Sequence, residues 1–272
     1  DVEYVLDSLN PTTWRVAVER IADYGPDKVI IPWWVAFWTP HFFYLANSVK
    51  RITDAELVFI CHNVVEHESN WLKQLATKTV LCRADRLITH SRKETERALD
   101  LTGTSARVVT GFHPVYEDLT EKRYPKKTAK NRLGLGRDPT LLFFGFVRPY
   151  KGLHVLLEAM PLILQDRSVT LLVVGEFWND RRTYSDQIEE LNIGSAVRII
   201  DRYVPNEEVP LYFGATDLVV QPYLSASGSG ICQLALGYDR PVVATRVGSL
   251  PEVVEDGKNG RLVDAADPAG LA

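Results

Sequence analysis

Residues 141–152, with the sequence LLFFGFVRPYKG, decide how this chain is interpreted. The apolar run ends at Gly145, and two cations, Arg148 and Lys151, follow before the amphipathic segment 153–164. A buried strand that ends at a glycine and continues through a basic loop into a helix is where α/β proteins bind phosphate. The same pattern also fits an ordinary strand-to-helix turn with solvated cations.

A second glycine-rich turn, Ser227-Gly228-Ser229-Gly230, precedes another helical segment. The N-terminus of a helix carries unpaired amide groups and a partial positive charge, so both junctions suit an anion. The presence of two such junctions in one half of the chain favours phosphate binding.

The composition fits two core-forming domains, with 272 residues of which 46% are hydrophobic. A formal net charge of -4 gives no broad electrostatic reason to bind nucleic acid. The three cysteines, Cys61, Cys82 and Cys232, each lie in an apolar run. They predict buried thiols in a reducing, cytoplasmic compartment, without a zinc site or a disulfide framework.

No segment approaches the roughly 20 apolar residues of a membrane-spanning helix. The richest stretch, residues 32–46, is interrupted by Thr39-Pro40, which predicts a strand end, a turn and a helix with Thr39 as its N-cap. The chain begins at Asp1 and its single methionine is internal, so we expect it to be an excerpt of a longer protein.

An aromatic cluster, Trp33, Trp34, Phe37 and Trp38, lies in the same stretch. We expect it to pack in the core. A position at the carboxyl end of a strand would instead allow it to stack on a sugar ring or to meet a lipid acceptor.

Strand and helix signals alternate along the chain, as in βαβ units around a parallel sheet. In the first part we predict helices at 12–23 and 71–83 and strands at 28–31, 57–61, 86–89 and 106–109. After a basic, proline-containing stretch at 117–138, we predict strands at 140–144, 169–174, 196–200, 217–221 and 241–245. The prediction is an α/β fold with two Rossmann-like domains, residues 1–130 and 131–272, each with a parallel sheet, and we interpret 117–138 as an interdomain linker with a short helix.

Several familiar motifs are missing from the sequence. There is no G-x-G-x-x-G after a strand, no P-loop, no H-E-x-x-H and no G-x-S-x-G. Dinucleotide redox chemistry, P-loop hydrolysis, zinc-dependent proteolysis and esterase chemistry are therefore disfavoured.

Six segments occur in collinear order between residues 140 and 272, namely Arg148-Pro149-Tyr150-Lys151-Gly152, Val173-Val174-Gly175-Glu176, Arg202-Tyr203-Val204-Pro205, Ala215-Thr216-Asp217-Leu218, Pro241-Val242-Val243-Ala244-Thr245 and Val247-Gly248-Ser249-Leu250-Pro251-Glu252. Together they resemble the second domain of retaining GT-B glycosyltransferases of the group-1, family-4 type.

The resemblance implies a GT-B architecture with an incomplete N-terminal domain. The second domain would bind a nucleotide-sugar donor, and the first would bind a glycan, lipid-linked or small-molecule acceptor. Such hexosyltransferases need neither a metal nor another cofactor, since protein cations and helix N-termini neutralise the diphosphate. The resemblance also allows peripheral contact with the inner face of a membrane, while the truncated chain itself is expected to be inactive.

Lys151 matches the family lysine that binds the donor phosphates. Gly145, at the end of the preceding strand, is also predicted to contact the donor. The family places an arginine directly after that glycine, where this chain has Phe146. Arg148, two residues further on, either reaches the phosphates from another backbone position or is a surface residue. We assign Lys151 and Arg148 to the leaving diphosphate, whose departing phosphate would take the acceptor's proton.

The family's E-x7-E pair is absent from this sequence. Alignment without gaps places Ala226 and Leu234 there, and a one-residue shift places Ser225 and Gln233 there. In the second alignment Gln233 would contact the ribose, and otherwise it is a helix-surface residue. The remaining donor contacts implied are the nucleobase against Tyr203 and Val204, and the diphosphate or sugar against Ser227, Gly228, Ser229, Gly230 and Ile231.

In the first domain, Phe59-Ile60-Cys61-His62-Asn63 resembles the strand whose terminal histidine faces the donor sugar. His62 is therefore a catalytic candidate, with a capping or core role as the alternative. His67 and Glu68 are acceptor candidates. The set His62, Glu66, His67 and Glu68 also resembles a metal cluster, but nothing nearby completes one.

His113-Pro114 replaces a turn that relatives often form with asparagine and glycine, and its role is either conformational or at the cleft.

Another class of function stays open. The missing carboxylates permit a nucleotide-sugar-binding module without catalysis, and a GT-B epimerase is a third possibility for which we find no acid-base pair.

Overall fold

A computed structural model describes residues 2–65, 70–103, 107–113, 116–178 and 180–272, apart from the side chains of residues 117 and 118. The chain forms two compact units, Asp1–Phe112 and His113–Ala272. The division lies well before the predicted boundary after residue 130, so residues 113–130 group with the second unit.

The first unit alternates helices and strands. Its elements are α1 (Pro11–Tyr24), β1 (Lys28–Trp33), a 3-10 turn (Ala36–Trp38), α2 (Thr39–Ile52), β2 (Glu56–Cys61), α3 (Trp71–Leu81), β3 (Arg86–Thr89), α4 (Arg92–Thr102) and β4 (Arg107–Thr110). The four strands are parallel and lie in the order β1-β2-β3-β4.

Side-chain caps define where several of these helices begin. Asn10 accepts from Thr12 N at α1, Asn70 from Lys73 N at α3, and Ser91 from Glu94 N at α4. Helix α2 begins at Thr39 with Pro40 second, and Trp38 is its N-cap residue. The sequence therefore predicted the start of α2 but was wrong by one position about its cap.

One face of the first sheet is buried. The hydrophobic cluster gathers the inward residues of β1 and β2 with helix residues such as Leu45 and Val49. Strand β1 alternates exposed and buried residues, and Ile30 on its other face is 57% exposed. The period of two in this strand follows from the alternation of side chains across a sheet.

The second unit is larger. Its elements are α5 (Glu117–Thr120), α6 (Lys126–Leu133), β5 (Thr140–Phe144), a 3-10 turn (Pro149–Lys151), α7 (Leu153–Asp166), β6 (Thr170–Val174), α8 (Arg181–Glu190), β7 (Val197–Ile200), α9 (Val209–Ala215), β8 (Leu218–Gln221), α10 (Gly230–Gly237), β9 (Val242–Thr245), α11 (Leu250–Val253), β10 (Gly260–Val263) and α12 (Pro268–Leu271).

All six strands of this sheet are parallel, in the order β10-β9-β8-β5-β6-β7. This is the strand order of the doubly wound Rossmann fold, in which the order reverses between the first and fourth strands, here β5 and β8. The predicted α/β fold with two Rossmann-like units and parallel sheets is confirmed.

Both faces of the second sheet are buried. Leu142 and Leu172 belong to one hydrophobic cluster, whereas their neighbours Leu141 and Leu171 belong to another on the opposite face. Burial on both faces explains why β5 and β6 are continuous apolar runs instead of alternating ones.

The stretch predicted as an interdomain linker packs on the second unit. Helix α6 lies against α9, and Arg123 donates to the backbone oxygen of Gly237 over 2.8 Å. The hydroxyl of Tyr238 also donates to the carbonyl of Leu119. These bonds make the stretch part of the second unit, and the predicted short helix within it is α6.

The other sequence predictions for strands agree with the structure to within one or two residues, although Ala106 lies outside the described residues. Strand β10 was not predicted. In the aromatic cluster, Trp33 is buried as expected, while Trp34 and Phe37 are 46% and 71% exposed. No helix among the described residues has the length and apolar character to cross a bilayer.

Candidate functional site

A cavity of about 300 Å³ lies in the second unit, at the carboxyl ends of β5, β6 and β7 and the start of α10. This is the edge of an open parallel sheet where ligands bind in doubly wound folds. Its polar lining consists of Tyr116, Lys151, Glu176, Arg202, Tyr203 and Asn206. The remaining lining residues are Leu119, Phe144, Gly145, Phe146, Gly175, Val204, Val209, Gly230, Ile231 and Leu234.

Two loops that approach this cavity are fastened to each other. Leu224 N donates to the carbonyl of Tyr150 over 2.7 Å, which joins the loop after β5 to the loop after β8. Gly152 has a left-handed φ of 70°, and a Cβ there would lie 1.9 Å from the carbonyl oxygen of Pro222. Only glycine allows this approach, which sets Lys151 beside the chain that leads into α10.

The Lys151 side chain is partly buried at the wall of the cavity. Its ammonium lies 5.6 Å from the centre of the Tyr223 ring, and a Cβ on Gly145 would come within 3.2 Å of Nζ. Burial, and then the positive charge of Arg148, lower the pKa of Lys151 to about 8. A cation held this way gains stability from an anionic ligand.

The first turn of α10 supplies backbone donors to the same cavity. Ser229 caps the helix, since its Oγ accepts from Cys232 N over 3.2 Å, and Gly230 and Ile231 line the cavity. The two junctions predicted to bind phosphate therefore share one cavity. The amides and the partial charge at this end favour an anion beside Lys151.

Tyr116 covers this helix start and was not predicted. A Cβ on Gly230 would lie 2.7 Å from the Tyr116 hydroxyl, which is 3.3 Å from Nε2 of His113. Burial raises the pKa of the Tyr116 phenol. No motif in the sequence indicates this contact. It identifies His113 as a neighbour of a cavity residue, while Pro114 of the same predicted pair lies outside the described residues.

Arg148 does not line the cavity. Its guanidinium carbon lies 4.0 Å from the centre of the Trp178 ring, in the loop after β6, and Phe146 packs against the same ring at 4.9 Å. Such a cation–π contact holds the arginine at the side of the cavity. Arg148 is therefore outside the cavity lining, and its contact with the phosphates stays a prediction. Its positive charge contributes to the lowered pKa of Lys151.

The opposite end of the cavity is formed by the loop after β7. Tyr203 is 62% exposed and Val204 is buried, and both line the cavity as predicted for the nucleobase region. Arg202 pairs with Glu208 and donates to the Tyr212 hydroxyl over 3.0 Å. These bonds fix the loop, and Tyr203 offers a flat ring for stacking.

Besides Arg148, four predicted donor residues fall outside the lining, namely Ser227, Gly228, Ser229 and Gln233. Gln233 is buried but does not line the cavity, whereas Leu234 does. The residue of α10 in the lining is thus the one that the gap-free alignment selects, and the ribose contact of Gln233 stays a prediction. Ser227 and Gly228 are also outside the lining, and Gly228 lies near Ser249, whose Oγ would be 3.2 Å from an added Cβ.

In the first unit, His62 directly follows β2, and its amide donates to the carbonyl of Trp33 over 2.8 Å. Its ring lies 5.6 Å from the ring of Trp34 and 5.0 Å from that of His90. These three residues, which we call the ring row, follow β1, β2 and β3 at the carboxyl edge of the sheet. His90 was missed, although its place directly after a predicted strand is the same signal that identified His62.

Glu66, His67 and Glu68, the other acceptor and metal candidates, lie outside the described residues. Within the described part of the chain, no group of three histidine, cysteine, aspartate or glutamate side chains could hold a metal ion. The three cysteines are free thiols, with Cys61 and Cys232 buried.

Comparison with known families identifies the larger unit. Residues 138–272 match the family described as "Glycosyl transferases group 1". This region is therefore a group 1 glycosyltransferase domain, and it contains all six strands of the second sheet and the cavity residues from Phe144 to Leu234.

Curated relatives extend the match into the first unit. A D-inositol 3-phosphate glycosyltransferase from Geodermatophilus obscurus is 27% identical over 244 residues, which cover 86% of this chain and 53% of that protein. The protein of the same name from Thermobifida fusca is 33% identical over 199 residues, covering 70% of this chain and 46% of that protein. The chain spans about half the length of the curated relatives it matches.

Solved structures share the fold of the chain. The Anabaena protein HepE, crystallised with UDP, has a TM-score of 0.76 and 21% identity, covering 98% of this chain and 72% of that one. A glycosyltransferase from Rickettsia africae has a TM-score of 0.74 and 18% identity, covering 100% of this chain and 72% of that one. At these identities the likeness concerns fold, and it confirms the GT-B class.

Proposed function

We propose that this chain is part of a retaining glycosyltransferase whose second unit binds a nucleoside-diphosphate sugar. The observation that carries the proposal is the shared cavity of Lys151 and the first turn of α10. A partly buried ammonium and the first-turn amides of a helix, which line one cavity, form a site for a diphosphate.

The two ends of the cavity suit the two ends of a nucleotide. The diphosphate would lie against Lys151, Gly230 and Ile231, and the base would lie against Tyr203 and Val204. A volume of about 300 Å³ is at the lower end of the range for small-ligand sites. The fold relative HepE has been crystallised with UDP and with UDP-glucose, so UDP is the first ligand to test.

The proposed chemistry is metal-independent transfer with retention of configuration. Lys151 and the α10 amides would neutralise the leaving diphosphate, and the departing phosphate would accept the proton of the acceptor hydroxyl. His62 of the ring row is proposed to stabilise the donor sugar. We also propose that the acceptor is a glycan, a lipid-linked molecule or a small molecule. The proposal further includes a cytoplasmic location and peripheral contact with the membrane.

Calorimetric titration with UDP and GDP tests the binding site. We expect Lys151→Ala to weaken binding by about tenfold to a hundredfold, because a charged hydrogen bond is lost. Lys258→Ala is the matched control, since Lys258 is exposed, pairs with Glu255 and does not line the cavity. Equal affinity of wild type and Lys151→Ala would contradict the proposed diphosphate site. Affinity unchanged by a chelator supports metal independence.

A second candidate is a nucleotide-sugar-binding module without catalysis. Leu234 lines the cavity at the position where the resemblance leads one to expect a carboxylate, which favours this alternative. Donor hydrolysis by a protein extended to the full length of the relatives separates the two functions. Binding of UDP-glucose and related donors without hydrolysis or transfer would support the module.

A further inference from the structure

Glu176 is the single carboxylate among the described residues that line the cavity. It follows Gly175 directly after β6, and its side chain is exposed. A carboxylate repels a nearby diphosphate, so its presence in such a site needs a compensating contact, such as hydrogen bonds from another part of the same ligand. The position of Glu176 in the sheet indicates which part of a nucleotide would donate these hydrogen bonds.

Strand order places Glu176 between the two ends of the proposed nucleotide site. Strand β5 leads into the loop of Lys151, β6 leads into Glu176, and β7 leads into the loop of Tyr203. Neighbouring strands are about 4.8 Å apart, so the phosphate and base loops start about 10 Å from each other with Glu176 midway. In every nucleotide the ribose lies between the base and the phosphates.

Backbone hydrogen bonds hold this arrangement beyond the ends of the strands. Val147 N donates to the carbonyl of Glu176 over 2.9 Å, and Gly175 N donates to the carbonyl of Ile200 over 3.0 Å. A Cβ on Gly175 would lie only 2.1 Å from the carbonyl oxygen of Gly145. The backbone of Glu176 is thereby fixed between both neighbouring loops.

The helix side of the cavity offers no substitute for this acid. Leu234 lines the cavity and cannot accept a hydrogen bond, and Gln233 does not line it. Ribose hydroxyls are hydrogen-bond donors, and an ionised carboxylate accepts through both of its oxygens. In dinucleotide-binding Rossmann folds, an acid after the second strand binds a ribose hydroxyl, and β6 is the second strand of this unit.

We propose that Glu176 accepts hydrogen bonds from the ribose 2′- and 3′-hydroxyls of the donor nucleotide. The inference rests on the proposed nucleotide site and adds the group that selects a ribonucleotide over a deoxynucleotide. Glu176 would supply this carboxylate from the end of β6, since the lining residues of α10 are Gly230, Ile231 and Leu234.

Calorimetry with UDP and 2′,3′-dideoxy-UDP tests the role of Glu176. We expect the wild type to bind UDP at least about tenfold more tightly than the dideoxy compound, because charged hydrogen bonds are lost. In Glu176→Ala this preference should disappear. Glu207→Ala removes an exposed carboxylate next to the lining residue Asn206 and should keep the full preference. Thermal melting of each variant verifies folding.

The outcomes separate this inference from the proposed function. If Glu176→Ala keeps the wild-type preference for UDP over its dideoxy form, the ribose role is wrong while the nucleotide site stands. If Glu176→Ala binds UDP and 2′,3′-dideoxy-UDP more weakly by the same factor, the ratio of the two affinities is preserved and the ribose role is also wrong. A change in the UDP to GDP ratio alone would assign Glu176 to the base instead. If the wild type binds no nucleoside diphosphate, the proposed function fails together with the inference.

Discussion

The two units use the same parallel βαβ construction with different burial. The second sheet is covered on both faces by separate hydrophobic clusters, whereas the first gathers one cluster on one face and leaves Ile30 on the other face largely exposed. The second unit has a cavity closed by glycine contacts between loops, and the first presents the ring row of Trp34, His62 and His90. Backbone contacts between loops thus shape the cavity of the second unit, whereas side-chain rings form the candidate site of the first unit.

The largest effect should come from Gly152→Ala. The new Cβ would overlap the Pro222 carbonyl oxygen in addition to the cost of a left-handed φ. We expect a loss of about 3 kcal/mol or more in unfolding free energy and loss of UDP binding.

Gly25→Ala in the first unit is its matched control. Gly25 has a φ of 62°, and nothing lies within 4 Å of an added Cβ. It should cost only about 1–2 kcal/mol. Equal denaturant midpoints for the two variants would show that the loop contact does not matter.

Glu94→Ala should have an intermediate effect on the first unit. The buried Glu94 carboxylate accepts from Val64 N over 2.7 Å and from Arg97 over 2.5 Å. Loss of the acceptor leaves a buried amide unpaired and should cost about 1–3 kcal/mol. It should also loosen the segment after β2 that begins with His62, as hydrogen exchange would show.

Two variants on the same helix make this test specific. Glu94→Gln keeps an acceptor and should retain part of the stability. Glu96→Ala, at an exposed position of α4, should change it by less than about 0.5 kcal/mol. If Glu94→Ala is as stable as Glu96→Ala, side-chain bonding does not hold the first unit's site.

The smallest predicted effect is a pH dependence of UDP binding. The free protein has a Lys151 pKa of about 8, and a diphosphate favours the charged lysine and raises this pKa in the complex. Affinity should therefore be constant below pH 8 and fall above it, by at most about tenfold per pH unit. The charged or ring groups near Nζ are Arg148 and Tyr223.

Calorimetry from pH 7 to 9.5, in buffers of different ionisation enthalpy, would detect the proton taken up on binding. Lys151→Arg should remove the decline, since a guanidinium stays charged in this range. A flat profile for the wild type would mean that the ammonium is not in contact with the phosphates.

The sequence predicted the parts of the second site that follow directly from local pattern. Lys151 and Gly145 come at the end of an apolar run, and Ser229 and Gly230 come at a helix start, so strand and cap signals suffice to place them. Gln233 and Leu234 are adjacent on a helix, where one residue turns the side chain by about 100°. Counting alone left both alignments open, and in the structure Leu234 is in the cavity lining while Gln233 is not.

Other site residues could not be predicted because they depend on strand order and on contacts between distant segments. Glu176 enters the cavity because β6 lies between β5 and β7, and Tyr116 enters it because residues 116–133 fold onto the second unit. Arg148, for which the sequence left a phosphate role and a surface role open, is outside the cavity lining and contacts Trp178 of the neighbouring loop. His90 required the recognition that three successive parallel strands end at one edge.

The absence of a side chain at Gly230 has a further consequence for the site. Because a methyl group there would meet the Tyr116 oxygen at 2.7 Å, the bare Cα is what allows the phenol to shield the first turn of α10. Shielding from water lowers the local dielectric and strengthens the attraction between an anion and nearby amides. A single hydrogen atom in place of a methyl group is thus what lets the Tyr116 hydroxyl lie against this helix end.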